Sequence, residues 1–221
     1  MIKLVNVSKK YNDLEVLEDF NISFKKNKIT SLFGPSGVGK TTIANIVAGI
    51  IPIDKGSVEG INGSLISYVF QEPRLLKWYN VYDNIDFVLK DLYPPTERVK
   101  IIKRYLKMVG LSEYKNYKIN QLSGGMEQRV SLARAFAYPS DILIMDEPFK
   151  GLDFKLKKEM ISLFKSMWKN SNRTVIFITH QVDEAIELAD TIFKLKNRPI
   201  DIINRINTNS NREEIKNLLL M

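Results

Sequence analysis

Gly34-Pro35-Ser36-Gly37-Val38-Gly39-Lys40-Thr41 matches the pattern G-x-x-x-x-G-K-T, and an apolar run from Ile29 to Phe33 leads directly into it. The glycines let the backbone curl so that successive N–H groups face one phosphate, and a helix starting there adds partial positive charge. In such a loop Lys40 reaches the β- and γ-phosphates of a nucleotide, and the Thr41 hydroxyl is placed to ligate Mg2+. Lys40 to about Ala48 reads as the helix, ended by Gly49 and Pro52. A strand, a glycine loop and a helix in that order predict an α/β fold.

Outward from this loop the pattern stays consistent. On the N-terminal side, Ile2 to Val7 and Asn21 to Lys25 read as strands. Between roughly Glu72 and Tyr138 the pattern turns helical, with Val99, Ile102, Leu106 and Val109 at helical spacing and Gly110 closing that segment. This stretch, about residues 72–138, reads as an insertion into an α/β core rather than a separate domain. Ile142 to Met145 is a continuous apolar strand, and Leu156, Met160, Leu163, Phe164 and Met167 line one helix face. Thr174 to Thr179 is a further strand, and a helix follows from Val182 to about Ala189. Ser210 with Glu213 forms a capping-box pattern before a final short helix. Strands alternating with helices predict a parallel sheet covered on both faces.

Composition removes other chemistries. The 221 residues include no Cys, which excludes a disulfide scaffold, a cysteine-ligated metal and a thiol nucleophile. His180 is the one histidine, so no two-histidine metal site exists. The net charge of +8 is spread along the chain without blocks; a solvated surface, phosphate-bearing ligands, membranes and nucleic acid all fit it. No apolar run approaches the ~18 residues that span a bilayer. Met1-Ile2-Lys3-Leu4-Val5-Asn6 lacks the apolar core of a signal peptide. A cytosolic protein is expected, with any membrane role supplied by partners.

Three further stretches carry chemistry. Ile142-Leu143-Ile144-Met145 runs into Asp146 and Glu147, and carboxylates at the end of a parallel strand sit where α/β ligands bind. Asp146 suits a Mg2+ ion and Glu147 suits polarising a water, although a strand ending in two acids also caps a following segment. His180 follows the Thr174 to Thr179 strand and is expected at the same sheet edge as Asp146. Leu122-Ser123-Gly124-Gly125-Met126-Glu127-Gln128-Arg129 opens a helix carrying Val130, Ala133, Phe136 and Ala137, a second helix start able to hold an anion. One nucleotide has no need of two such starts within one chain; the alternative is a plain N-cap followed by two permissive glycines.

With these motifs in this order, the chain resembles the ATP-binding subunit of an ATP-binding-cassette (ABC) transporter over most of its length. The resemblance implies a P-loop NTPase core of the α/β class, with an N-terminal antiparallel β part and an inserted helical subdomain, residues 1–221 forming one ATP-binding domain. It implies ATP and Mg2+ as cofactors. Residue by residue, it places nucleotide contacts at Gly34, Pro35, Ser36, Gly37, Val38, Gly39, Lys40, Thr41 and Thr42, and an adenine-stacking aromatic at Tyr11. Thr41, Gln71 and Asp146 match metal contacts, and Lys40, Gln71, Glu147 and His180 match the catalytic set, with His180 at the γ-phosphate. Ser123, Gly124, Gly125 and Gln128 match the signature that meets the γ-phosphate of a second copy, and Asp153 in Gly151-Leu152-Asp153 matches a loop at that dimer interface.

The resemblance also implies partners: a second copy of the chain, transmembrane permease subunits and, indirectly, an extracytoplasmic substrate-binding protein, with no nucleic acid expected. The location implied is the cytoplasmic face of the cell membrane. Gln71-Glu72-Pro73-Arg74-Leu75-Leu76-Lys77-Trp78 is similar to the nitrate, sulfonate and taurine importer branch, which also includes carriers of vitamin precursors. Trp78, Tyr79 and Tyr82 form an aromatic cluster that is either core or permease-facing. Two positions depart from the family: Lys150 stands where a small residue is usual, and Gln181 where an Asp often follows the histidine. The importer ATPase leads two alternatives, an exporter ATPase and a soluble ABC ATPase acting on nucleic acid.

Overall fold

Ile29–Phe33 and Thr174–Thr179 carry no charge at any position, and every residue of both is buried, as strands covered on two faces require. The computed structural model describes residues 1–208 and 211–221. In chain order its elements begin with β1 (Ile2–Tyr11), β2 (Leu14–Phe24), β3 (Ile29–Phe33), α1 (Lys40–Val47), β4 (Lys55–Glu59) and β5 (Ile66–Val69). The helical middle follows as α2 (Val81–Asp86), α3 (Pro95–Met108) and α4 (Gly124–Ala137). Then come β6 (Ile142–Asp146), α5 (Phe154–Lys169), β7 (Thr174–Thr179), α6 (Val182–Leu188), β8 (Thr191–Lys196), β9 (Asp201–Asn207) and α7 (Arg212–Leu220).

The chain divides into two compact units. The first comprises Met1–Ile66, Asp141–Glu147 and Arg173–Met221, and the second Ser67–Ser140 and Pro148–Asn172.

In the first unit, β2, β1 and β4 form an antiparallel sheet, with Ile2 opposite Phe24 and Leu4 opposite Val58. β1 and β2 are longer than the alternation suggests and join as a hairpin, Tyr11 opposite Leu14. The turn is made by Asn12 and Asp13, Asn12 adopting a left-handed φ of 51°. In the second sheet the order β6, β7, β3, β8, β9 places β3 between β7 and β8, and these central pairings are parallel. The strand–helix alternation predicted a parallel sheet, but the sheet is not parallel throughout. β9 runs antiparallel to β8, because only Asn197–Ile200 separates them and a parallel return needs a crossover. α1 and α6 pack on the central strands, and α7 packs against α6. The cap expected at Ser210 lies outside the described residues; Asn211 caps α7, its Oδ1 accepting from the Glu213 N–H at 3.0 Å.

The second unit is helical around α4. Val130, Leu132, Ala133, Phe136 and Ala137 are buried, and Phe136 meets Phe164 of α5 edge to face at 6.1 Å. From α3, Ile102 and Leu106 are buried, and Gly110 ends the segment with φ +70°. Among the described residues no helix is long and apolar enough to cross a membrane.

Candidate nucleotide site

The glycine loop of the first unit begins where β3 meets β8. A Cβ on Gly34 would lie 2.4 Å from the Leu195 carbonyl oxygen, so only glycine permits this approach. Gly37 and Gly39 follow with φ of +79° and +117°. Pro35, Ser36 and Gly37 are exposed along the loop, while Val38 is buried and anchors it. Lys40 is 4% exposed, and its ammonium donates to the Gly34 and Pro35 carbonyls at 2.8 and 2.7 Å. Lys40 therefore also braces the loop that it is expected to serve. Thr42 lies half-buried one position beyond Thr41.

Thr41 Oγ1 donates to Asp146 Oδ2 at 2.8 Å, joining the helix start to the end of β6. A hydroxyl and a carboxylate are hard oxygen donors, so this pair fits Mg2+. Glu147, the next residue, takes a left-handed φ of 44° and is 8% exposed. A non-glycine residue held there stores roughly 1–3 kcal/mol of strain, and such residues cluster at functional sites. The parallel pairing of Asp146 with Ile178 carries the two chains side by side, and His180 Nδ1 comes within 3.1 Å of Glu147 Oε1. His180 Nε2 faces the Gln181 side-chain nitrogen at 3.2 Å. Thr41, Asp146, Glu147 and His180 thus converge at the carboxyl edge of β3, β6 and β7.

Tyr11 ends β1 with 40% of its surface exposed, and the Lys9 ammonium lies 5.6 Å from its ring centroid. Lys9 is buried and bonded to Asp54 Oδ1 at 2.7 Å, and Asp54 Oδ2 accepts the Lys10 N–H at 2.7 Å. The Lys9 hydrogen bond, helped by that of Lys10, holds the Asp54 carboxyl below its ordinary range.

In the second unit Ser123 is the N-cap of α4, its Oγ accepting from the Met126 N–H at 3.3 Å. Gly124 has open space around it, whereas a Cβ on Gly125 would lie 2.6 Å from Leu156 Cδ2 of α5. Gln128 is buried, and its amide donates to the Pro148 carbonyl. Asp153 caps α5 through the Leu156 N–H at 3.0 Å. Gln71 is exposed, with the Lys150 ammonium 3.5 Å from its Oε1. Further along α4, Arg134 donates to the carbonyls of Pro73 and Arg74 at 3.0 and 3.1 Å, and burial lowers its pKa from the ordinary value. Trp78 is largely exposed and stands beside Tyr79.

Residues 17–150 match the family model described as ABC transporter. The chain belongs to the ABC transporter family. The taurine import ATP-binding protein TauB of Pelagibacter ubique is 36% identical over 206 residues, which is 90% of this chain and 77% of that one. The spermidine/putrescine import ATP-binding protein PotA of Bacteroides thetaiotaomicron is 36% identical over 92% of this chain, which spans only 48% of that relative's length. The dimeric post-hydrolysis state of the ATP-binding cassette MJ0796, bound to ADP and Pi, is 29% identical with a TM-score of 0.83, covering 96% of this chain and all of that one. The α/β cassette fold with its N-terminal antiparallel sheet is that of these neighbours.

The residues that brace these motifs in this ABC chain lie outside the motifs themselves. Lys9, Asp54 and Arg134 act through contacts distant in sequence, whereas Glu184 accepts from the Thr179 hydroxyl five positions before it. Only Glu184 carried a local signal: it stands third after the N-cap Gln181, the capping-box position for glutamate.

Proposed function

We propose that this chain is the ATP-hydrolysing subunit of an ABC importer, acting as a dimer of one-domain cassettes at the cytoplasmic face of the membrane beside separate permease subunits. The observation that carries this reading is the Glu147–His180 pair set beside Thr41–Asp146 at the mouth of the glycine loop. The loop N–H groups and the first turn of α1 bind the phosphates, and Tyr11 offers a face to adenine. Lys40 exchanges its carbonyl partners, Gly34 and Pro35, for phosphate oxygens. Glu147 orients a water for attack on the γ-phosphorus and accepts its proton as the bond to the β–γ bridging oxygen breaks and ADP leaves, while His180 contacts the γ-phosphate. Thr41 and Asp146, with Gln71 as the family resemblance implies, would hold Mg2+, and the ion would neutralise charge on the phosphates. Ser123, Gly124 and Gly125 meet the γ-phosphate bound by a second copy, with Asp153 at the same interface.

Importer relatives support import over export. A small polar solute, taurine-like in the first instance, is the proposed cargo, on the TauB similarity and the Gln71 to Trp78 stretch; a substrate-binding protein outside the membrane would select it.

The test uses Glu147→Gln, which keeps the shape of the side chain and removes its basicity. Light scattering with ATP is expected to report about twice 25.5 kDa, and with ADP the single mass. Adding Ser123→Arg should abolish the dimer and leave ATP binding to one chain intact. An ATP dimer that survives Ser123→Arg overturns the arrangement across two copies.

A further inference from the structure

Gln181 is the N-cap residue of α6, yet its side chain makes no cap hydrogen bond. Its neighbours close the turn instead. The Gln181 N–H donates to Thr179 Oγ1 at 3.0 Å, and that hydroxyl donates to the buried Glu184 Oε2 at 2.6 Å. The exposed Gln181 amide is left to face the imidazole, its nitrogen 3.2 Å from His180 Nε2. On the opposite side of the ring, Nδ1 lies 3.1 Å from Glu147 Oε1.

With the Gln181 nitrogen turned to Nε2 and the Glu147 carboxylate at Nδ1, one placement of the ring's hydrogen fits both contacts. A carboxylate only accepts, so Nδ1 carries the hydrogen; a neutral ring then keeps its lone pair on Nε2, which is what an amide N–H donates to. An aspartate in place of Gln181 would accept from Nε2 while Glu147 still accepts from Nδ1, and so would call for a hydrogen on both ring nitrogens. A phosphate oxygen also accepts, so a γ-phosphate needs a hydrogen on Nε2 that this tautomer lacks.

We propose that Gln181 is a positioning residue that holds His180 in the Nδ1–H tautomer, so that the Gln181 contact and the γ-phosphate contact of Nε2 are alternatives. The proposal rests on the reading of His180 as the neighbour of the γ-phosphate. ADP, with no γ-phosphate, leaves the Gln181 contact in place; ATP must displace it, and Nε2 then takes a proton from solvent while Nδ1 keeps its own towards Glu147, so the ring becomes an imidazolium between two acceptors. Gln181 therefore sets how strongly the site prefers ATP to ADP.

Because the chain has one histidine, a 15N-histidine-labelled sample shows one imidazole and reads its tautomer directly. Without nucleotide, and with ADP, the expected spectrum has Nδ1 protonated and Nε2 as the lone-pair nitrogen. A non-hydrolysable ATP analogue should bring a hydrogen to Nε2. Gln181→Glu should do so with no nucleotide present, an effect that a change in packing alone would not give. Gln181→Leu should raise the ratio of ATP-analogue to ADP affinity roughly three- to tenfold, the scale of one lost hydrogen bond. Unfolding midpoints of both variants, made at an exposed side chain, should match the parent.

His180→Ala checks the underlying reading and should lower the same ratio. If it does not, the assignment of His180 fails and the proposal falls with it. If His180→Ala lowers the ratio but Gln181→Leu leaves it unmoved, the Gln181 assignment alone is overturned. A hydrogen on Nε2 in the nucleotide-free parent chain overturns it equally.

Discussion

Replacing Gly39 by alanine tests how the phosphate loop is seated. Gly39 has φ +117°, and a Cβ there would lie 2.6 Å from both Ile200 Cδ1 and Val16 Cγ1. The backbone term is about 1–3 kcal/mol for a side chain in so sparsely populated a region. Carbon atoms pack at about 3.5–4.0 Å, so two buried methyl groups must each retreat by roughly 1 Å. Overpacking of that kind costs about 1–3 kcal/mol. The sum, roughly 2–6 kcal/mol, converts to a fall in Tm of about 5–20 °C for a chain of this size. Gly63→Ala is the internal control: its φ is +72° and nothing lies within 4 Å of the added carbon, so it should lose only about 1–2 kcal/mol. Thermal unfolding followed by circular dichroism compares the two. Adding Ile200→Val to Gly39→Ala should recover part of the loss by removing one of the crowded methyl groups. Equal midpoints for Gly39→Ala and Gly63→Ala would show that the loop does not rest on Val16 and Ile200.

Two more predictions follow from charges near the site. The folded pKa of Asp54 is lowered, so its stabilising effect is complete above the ordinary carboxylate pKa of about 3.9 and is lost as pH falls through the folded value. Urea midpoints of the parent and Asp54→Asn should therefore differ at pH 6 and converge in strong acid; a gap that widens in acid would contradict the Lys9–Asp54 assignment. Lys40→Ala should abolish most ATP binding, measured by nucleotide fluorescence, and should also lower stability by about 1–3 kcal/mol through the lost carbonyl bonds. Near-normal ATP binding by a folded Lys40→Ala chain would defeat the phosphate-loop reading.

The motifs of the site were legible because each rests on a local chemical requirement. Gly34 to Thr41 announces a phosphate loop through its own spacing, and Asp146, Glu147 and His180 follow apolar runs that can only be buried strands. β3 and β7 begin and end where the apolar pattern places them. The N-terminal hairpin was shortened in that reading because Lys9, Lys10 and Glu15 interrupt the alternation, and the register shifts beside Lys9 are not a feature of any periodicity. Two loop carbonyls enclose the Lys40 ammonium, and lysine hydropathy gives no hint of that. Partnerships such as Thr41 with Asp146, 105 positions apart, belong to the fold and to no local pattern.

Arg134 gives α4 a mechanical character. The helix has 14 residues and is therefore about 21 Å long. At one end stand Ser123, Gly124 and Gly125; towards the other, Arg134 grips the main chain at Pro73 and Arg74, just past Gln71. A helix does not shorten or shear under small loads, so a tilt at the glycine end pulls on the segment after Gln71 with no change in the helix itself. α4 works as a connecting rod with Arg134 as its clevis pin, tying the glycine end to the segment that follows Gln71.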